Sequence, residues 1–237
     1  MALPKMSTPQ YETTVPSLKK KVKFRPFLVK EEKSLLLAQQ SEDPKVMINT
    51  LKAIIKDCII DPINADELAI FDFEYLFTQI RAKSVGEEVD LLMLCDTCTD
   101  EKAKAQVLLD ITKFEVLYPE KHSQKIDLSE DVGVMMKYPS IDTLEKLEKA
   151  AAGNVDSTFD VVADCMDYIY TSTEVFHIKE QTKQEVIEFL ESLTQEQFSK
   201  IDAFFATMPK MSQHVEYDCP VCGKHHDKVL EGLESFF

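Results

Sequence analysis

Two Cys-x-x-Cys pairs restrict the fold of this chain more than any other feature. The first is Cys95-Asp96-Thr97-Cys98 and the second is Cys219-Pro220-Val221-Cys222, followed at once by Gly223. Each pair comes at the end of a strand-like run. Together they offer four thiolates, the donor set of a tetrahedral structural zinc site with metal–sulfur distances of roughly 2.3 Å. Pro220 and Gly223 allow the backbone to turn sharply, so that amides face the sulfurs. Cys95, Cys98, Cys219 and Cys222 are therefore expected to hold one structural zinc ion. About 120 residues separate the pairs, against roughly 15–20 in compact zinc modules, so the ion would bridge the ends of a long inserted segment. Four free thiols or two disulfides are the alternatives. Met1 to Gln10 carries two prolines and no apolar run, unlike a secretory leader. In a reducing compartment cysteine clusters favour metal over disulfide.

Composition narrows the function. The 237-residue chain has a formal net charge of −15, which opposes nonspecific binding to nucleic acid, since that requires Lys and Arg against phosphate. No run of eighteen apolar residues is present, so no membrane-spanning segment is expected. Five glycines leave little room for a phosphate-cradling loop. Charge is uneven: residues 1–33 hold eight Lys or Arg against three Glu. Such polarity suits contact with a partner or between copies, as it does a merely solvated face.

Local pattern gives the elements. Tyr11–Val15 and Lys21–Phe27 read as a hairpin around Pro16-Ser17, with Val22 and Phe24 alternating against lysines. Val29–Gln40 reads as a short helix with Leu35, Leu36 and Leu37 inward. Asp43-Pro44 is a helix start, Asp as cap and Pro at the first helical position. That helix carries a stripe through Leu51, Ile54, Ile55 and Cys58, and Pro62 ends it. Phe71–Lys83 is an aromatic helix apolar on two sides, and Gly86 follows as its left-handed cap. Strands are expected at 89–94, 106–111, 114–118, 125–128 and 132–138. Helices are expected from Ser140 to near Gly153, over Asp156–Tyr170, Lys179–Leu193 and Glu196–Met208, the last two separated by a Thr194/Gln197 capping box. A strand at 213–218 leads to the second cysteine pair, and Phe236-Phe237 dock on this chain or on a neighbour.

Three of these stretches carry a resemblance. Phe24–Lys33 (FRPFLVKEEK), Phe71–Glu87 (FDFEYLFTQIRAKSVGE) and the ending with Cys219–Lys224 (CPVCGK) and Leu230–Phe237 (LEGLESFF) resemble the baseplate hub proteins of T-even-like contractile-tailed bacteriophages. The likeness runs over nearly the whole chain, loosely in the middle. It implies a hub subunit or hub assembly protein, made in the host cytoplasm and partnered by other hub and tail proteins, and it brings no catalytic residues with it.

The residues also allow two other readings. His225 and His226 follow the second pair, so a catalytic zinc with mixed Cys/His ligands and an open position is arithmetically allowed. Asp127, Glu130 and Asp131 share a loop, but no partnering acid or base is identifiable. A nucleic-acid zinc ribbon would surround its knuckles with cations, whereas Asp100, Glu101, Asp218 and Asp227 flank these. The expected protein is a non-enzymatic α+β chain: a mainly helical body with a small antiparallel β region containing the discontinuous zinc ribbon. It is expected as one unit over 1–237, with an arm and hairpin (1–28), helices (29–88), the β region and first knuckle (89–139), helices (140–210), and the second knuckle with tail (211–237).

Overall fold

The computed structural model describes residues 6–98 and 102–232, so Phe236 and Phe237 lie outside the described residues. Strands β1 (Tyr11–Val15) and β2 (Lys20–Phe24) form a hairpin, followed by helices α1 (Val29–Ser41), α2 (Pro44–Cys58) and α3 (Ile70–Ser84). A second hairpin, β3 (Glu88–Leu94) with β4 (Lys104–Asp110), leads to the short strand β5 (Glu115–Leu117). Next come β6 (Lys125–Asp127), β7 (Val132–Met136), α4 (Leu144–Ala151), α5 (Val155–Cys165), β8 (Met166–Thr171) and β9 (Val175–His177). Helices α6 (Lys183–Glu191) and α7 (Gln195–Thr207) precede a third hairpin, β10 (Lys210–Asp218) with β11 (His225–Glu231).

A mainly helical body is not what forms. The described residues are 42% helix and 28% strand, and their strands make several antiparallel sheets, ordered β1-β2, β3-β4, β11-β10-β5 and β6-β7-β8-β9. The largest departure falls at 166–171, where a helix was expected to continue to Tyr170. Helix α5 stops at Cys165, and Met166–Thr171 extends between β7 and β9, pairing Val134 with Ile169 and Ile169 with Phe176. Tyr168, Ile169, Tyr170 and Thr171 are aromatic or β-branched, types that fit a pleated surface better than a helix. The 3.6-residue pattern simply ran on past the point where sheet pairing took over.

The chain divides into two compact units, one made of Met1–Ala65, Phe71–Leu117 and Lys210–Phe237, the other of Asp66–Ile70 and Tyr118–Pro209. In the first, α3 is buried on nearly every side. Phe73, Leu76, Phe77 and Ile80 are completely enclosed, and the buried Asp72 accepts from the Ser17 amide at 2.9 Å, fixing the β1–β2 turn. The Asp43 side chain caps α2 through the Lys45 amide, and Leu51, Ile54, Ile55 and Cys58 form its buried stripe. Helix α1 corrects a second expectation. Leu36 and Leu37 are 54% and 56% exposed, because three consecutive residues sweep about 200° around a helix and cannot all face one core.

Besides the buried Ala38, an ion pair fastens the start of α1. Glu31 is buried, pairs with Arg25 Nη2 at 2.8 Å, and accepts from the Leu28 amide at 2.8 Å. Burial alone would raise its carboxyl, but Arg25, the Leu28 amide and Lys30 outweigh that and bring it from 4.5 down to about 2. A carboxylate with a depressed folded pKa adds stability above its unfolded value and loses it as pH falls through the folded one. Glu31→Gln is therefore expected to cost about 2 kcal/mol at pH 7. That gap should close steadily between pH 4.5 and about 2. Urea denaturation of both proteins across that range checks it; a gap independent of pH would contradict it.

In the second unit, sheet residues Ile126, Val134, Met136 and Met166 pack with Val161, Val162 and Cys165 of α5, Val186 and Leu190 of α6, and Ile201 and Phe204 of α7. Capping boxes start both α6 (Thr182 with Glu185) and α7 (Thr194 with Gln197). No helix among the described residues is long and apolar enough to cross a membrane.

Candidate metal centre

The second and third hairpins of the first unit share one core. Inward residues Val89, Leu91, Met93 and Val107 pack on a buried set that includes Leu109, Ile111, Phe114, Met211, Val215 and Tyr217. The period-two alternation of β3 and β10 requires this, since it turns their apolar residues to one side. Because the two strands meet over the same core, their far ends also meet: Cys95 follows the last residue of β3 and Cys219 the last of β10. The Tyr217 hydroxyl donates to the Leu94 carbonyl at 2.7 Å and locks the ends together.

Each pair is then folded into a knuckle by its own backbone. The Cys95 amide donates to the Ala103 carbonyl at 3.1 Å, while the Cys219 amide donates to Lys224 and the Gly223 amide to Cys219, both at 2.9 Å. Gly223 takes φ +68°, the left-handed turn that a side chain resists. The Val221 amide points at Cys219 Sγ, 3.4 Å away, as the Pro-x-Cys-Gly spelling implies.

All four sulfurs, of Cys95, Cys98, Cys219 and Cys222, come within 4.8 Å of one another. Cys95 Sγ lies 3.9 Å from Cys222 Sγ, and Cys98 Sγ lies 3.9 Å from Cys219 Sγ. A tetrahedron with metal–sulfur bonds of roughly 2.3 Å has edges of roughly 3.8 Å, so the thiols have the size of a tetrahedral metal cage. No disulfide joins them. Cys95 and Cys219 are buried, Cys98 is half-buried and Cys222 exposed.

Electrostatics separates the thiols. The Thr97 hydroxyl and amide draw Cys95 down to about 5, and the Lys224 amide lowers Cys222. Cys98, facing Cys222 and the other sulfurs, is pushed up to about 12. Four thiolates in one place repel one another, and a divalent cation removes that penalty.

Around the sulfurs lies a shell that motif reading did not find. Asp96, inside the first knuckle, receives Lys228 Nζ at 2.5 Å and lies 3.5 Å from His226 Nδ1, both on β11. The His226 ring is buried, stacks on Tyr217 at 4.8 Å between centroids, and helps lower Cys95. His225 is exposed and pairs with Asp218 at 2.8 Å. The two adjacent histidines thus face opposite sides of a strand. Asp127, in the other unit, accepts from the Tyr170 hydroxyl at 2.5 Å. By contrast Cys58 and Cys165 are single buried thiols, raised to about 11 and about 12 by burial.

Fold and site together define a mixed helix-and-sheet protein in which two hairpins distant in sequence meet at a four-thiol cluster compatible with a metal ion. The chain belongs to the family described as T4 bacteriophage base plate protein, whose model matches residues 8–237. It is also similar to the baseplate hub assembly protein gp26 of Enterobacteria phage T4, 23% identical over 228 residues, which cover 96% of this chain and 98% of that protein. No solved structure matches it.

Proposed function

We propose that this chain builds or helps assemble the hub of a phage tail baseplate, and that a structural zinc ion on Cys95, Cys98, Cys219 and Cys222 keeps its first unit in shape. The near end-to-end match to the hub assembly protein of phage T4 carries the role. The sulfur edges of 3.9 Å support the metal. Four sulfurs complete a tetrahedral shell and leave no position at which substrate or water is activated, which supports a non-enzymatic role. When bound, the ion neutralises the thiolates and fixes the knuckles; the protein does the rest. Tyr217 ties β10 to β3, Asp96 ties the first knuckle to β11, and the paired hairpins present fixed surfaces to other baseplate proteins in the host cytoplasm.

An affinity-tagged copy expressed during infection is expected to recover other baseplate proteins. Recovery of the tagged chain alone would overturn the assembly role. Its presence or absence in purified virions then separates a hub subunit from a transient assembly factor.

A further inference from the structure

The long stretch of the second unit begins at Tyr118 and ends at Pro209, and one side chain joins its two ends. His122 sits in a turn closed by its own amide on the Pro119 carbonyl at 3.0 Å. Its Nδ1 lies 3.1 Å from Oγ1 of Thr207, the last residue of α7, and its Nε2 lies 3.1 Å from the hydroxyl of Tyr138, just past β7. The ring also packs on Tyr138 and on the buried Phe204, with centroids 5.5 and 5.1 Å away.

Hydrogen accounting fixes the form of this ring. The Thr207 hydroxyl has one hydrogen and donates it to the Ala203 carbonyl at 2.7 Å, so towards His122 it can only accept. Nδ1 therefore carries the proton. Nε2 is then bare in the neutral ring and accepts from the Tyr138 hydroxyl. Donors run from Tyr138 to His122 to Thr207 to Ala203, and the series is complete only while the imidazole is neutral. A second proton, at Nε2, would meet the phenol hydrogen and force Tyr138 to turn its hydroxyl away. Among the described residues no carboxylate pairs with the ring to offset this. Glu120 and Lys121 on the same turn, Lys137 beside Tyr138, and Lys200 and Asp202 on α7 are all exposed, and Lys200 Nζ is bonded to the Asp127 and Leu128 carbonyls. Burial alone moves the ring's pKa, and it lowers it.

We propose that His122 is an acid-sensitive clasp: in its neutral form it fastens the start of the second unit's long stretch to the end of α7, and protonation at Nε2 loosens that closure. Histidine suits the task because it gains its charge close to neutral pH. The folded ring takes its second proton less readily than the unfolded chain does. The stability it brings is therefore complete above the ordinary value of 6.5 and is lost as pH falls through the lower folded value. This inference goes beyond the hub assignment and depends neither on it nor on the metal centre.

Ring-proton magnetic resonance and amide hydrogen exchange on the full chain, between about pH 7.5 and 5, test the clasp. The His122 signals, identified by their loss in His122→Phe, are expected to titrate below 6.5. Over the same range, exchange at the amide of position 122 and in the last turn of α7, corrected for its intrinsic pH dependence, should quicken roughly fivefold in wild type, the effect of one hydrogen bond. In His122→Phe it should stay level. Tyr138→Phe removes only the donor to Nε2 and should raise the pKa of His122, a shift that a mere packing role for the phenol would not produce. Circular dichroism reports whether each variant folds; if His122→Phe does not, His122→Gln takes its place, since it too has no charge to gain. A His122 that titrates as an ordinary exposed imidazole, acid loosening that persists in the His122 variant, or a Tyr138→Phe protein whose His122 pKa is unmoved would each overturn the clasp.

Discussion

Replacing Cys219 with serine is expected to release the metal and lower the melting temperature on the order of 10 °C. Cys219 is 2% exposed and begins the second knuckle. Without its thiolate the remaining three sulfurs bind zinc poorly, and the two hairpins lose the tie between their ends. The β3–β4 sheet has only two strands, an arrangement of marginal stability alone. Zinc contributes about 10–16 kcal/mol of apparent binding in small modules that lack any core. Here a shared core already joins the hairpins, so a loss of about 4 kcal/mol is the reasonable expectation. At roughly 2–4 °C per kcal/mol for a chain of this size, that gives the stated shift. Calorimetry with metal analysis on Cys219→Ser and Cys165→Ala makes the comparison. Cys165→Ala should destabilise while keeping the metal. Equal metal content and unchanged melting in Cys219→Ser would show that the thiols are not a working site.

The second large effect is expected in the other unit, at a glycine with ordinary backbone angles. A Cβ added at Gly133 would lie 2.1 Å from the Tyr170 hydroxyl oxygen and 2.7 Å from the Ile126 carbonyl oxygen. The Tyr170 ring crosses the sheet over Gly133, its cross-strand partner, and reaches Asp127 on the far strand. Gly133→Ala must displace that ring and also press on backbone, so a loss of about 3 kcal/mol is expected, at the upper end of overpacking costs. Adding Tyr170→Ala should recover part of the loss and no more, because the clash with the Ile126 carbonyl persists. Urea denaturation of the single and double variants measures this; a neutral Gly133→Ala would mean the ring lies elsewhere.

Much of the candidate centre is legible in the sequence. Spacing and residue type singled out the four cysteines, and alternation in β3 and β10 explains why they converge. The helix starts at Asp43-Pro44 and Thr194 were equally plain, because a cap is chemistry local to four residues. The Thr182/Glu185 box has the same signature and went unread, so that helix was expected to begin too early. Other features depend on partners distant in sequence. Nothing near Met166 states that β7 and β9 will flank it, and without those neighbours the run to Tyr170 reads as helix. Leu35, Leu36 and Leu37 were all assigned inward on hydrophobicity alone, although helical geometry forbids it. Asp96, Tyr217 and Lys228 were missed because their task is to join one hairpin to the other, a relation that only the fold creates. His225 and His226 look alike in sequence; the pleat buries one and exposes the other.

X-ray absorption at the zinc edge of the purified full chain tests the central claim most directly. Four sulfur neighbours at roughly 2.3 Å and no lighter atom in the first shell is the expected result. A metal-free protein, or a first shell containing nitrogen or oxygen from a histidine or a carboxylate, would contradict a centre made by Cys95, Cys98, Cys219 and Cys222.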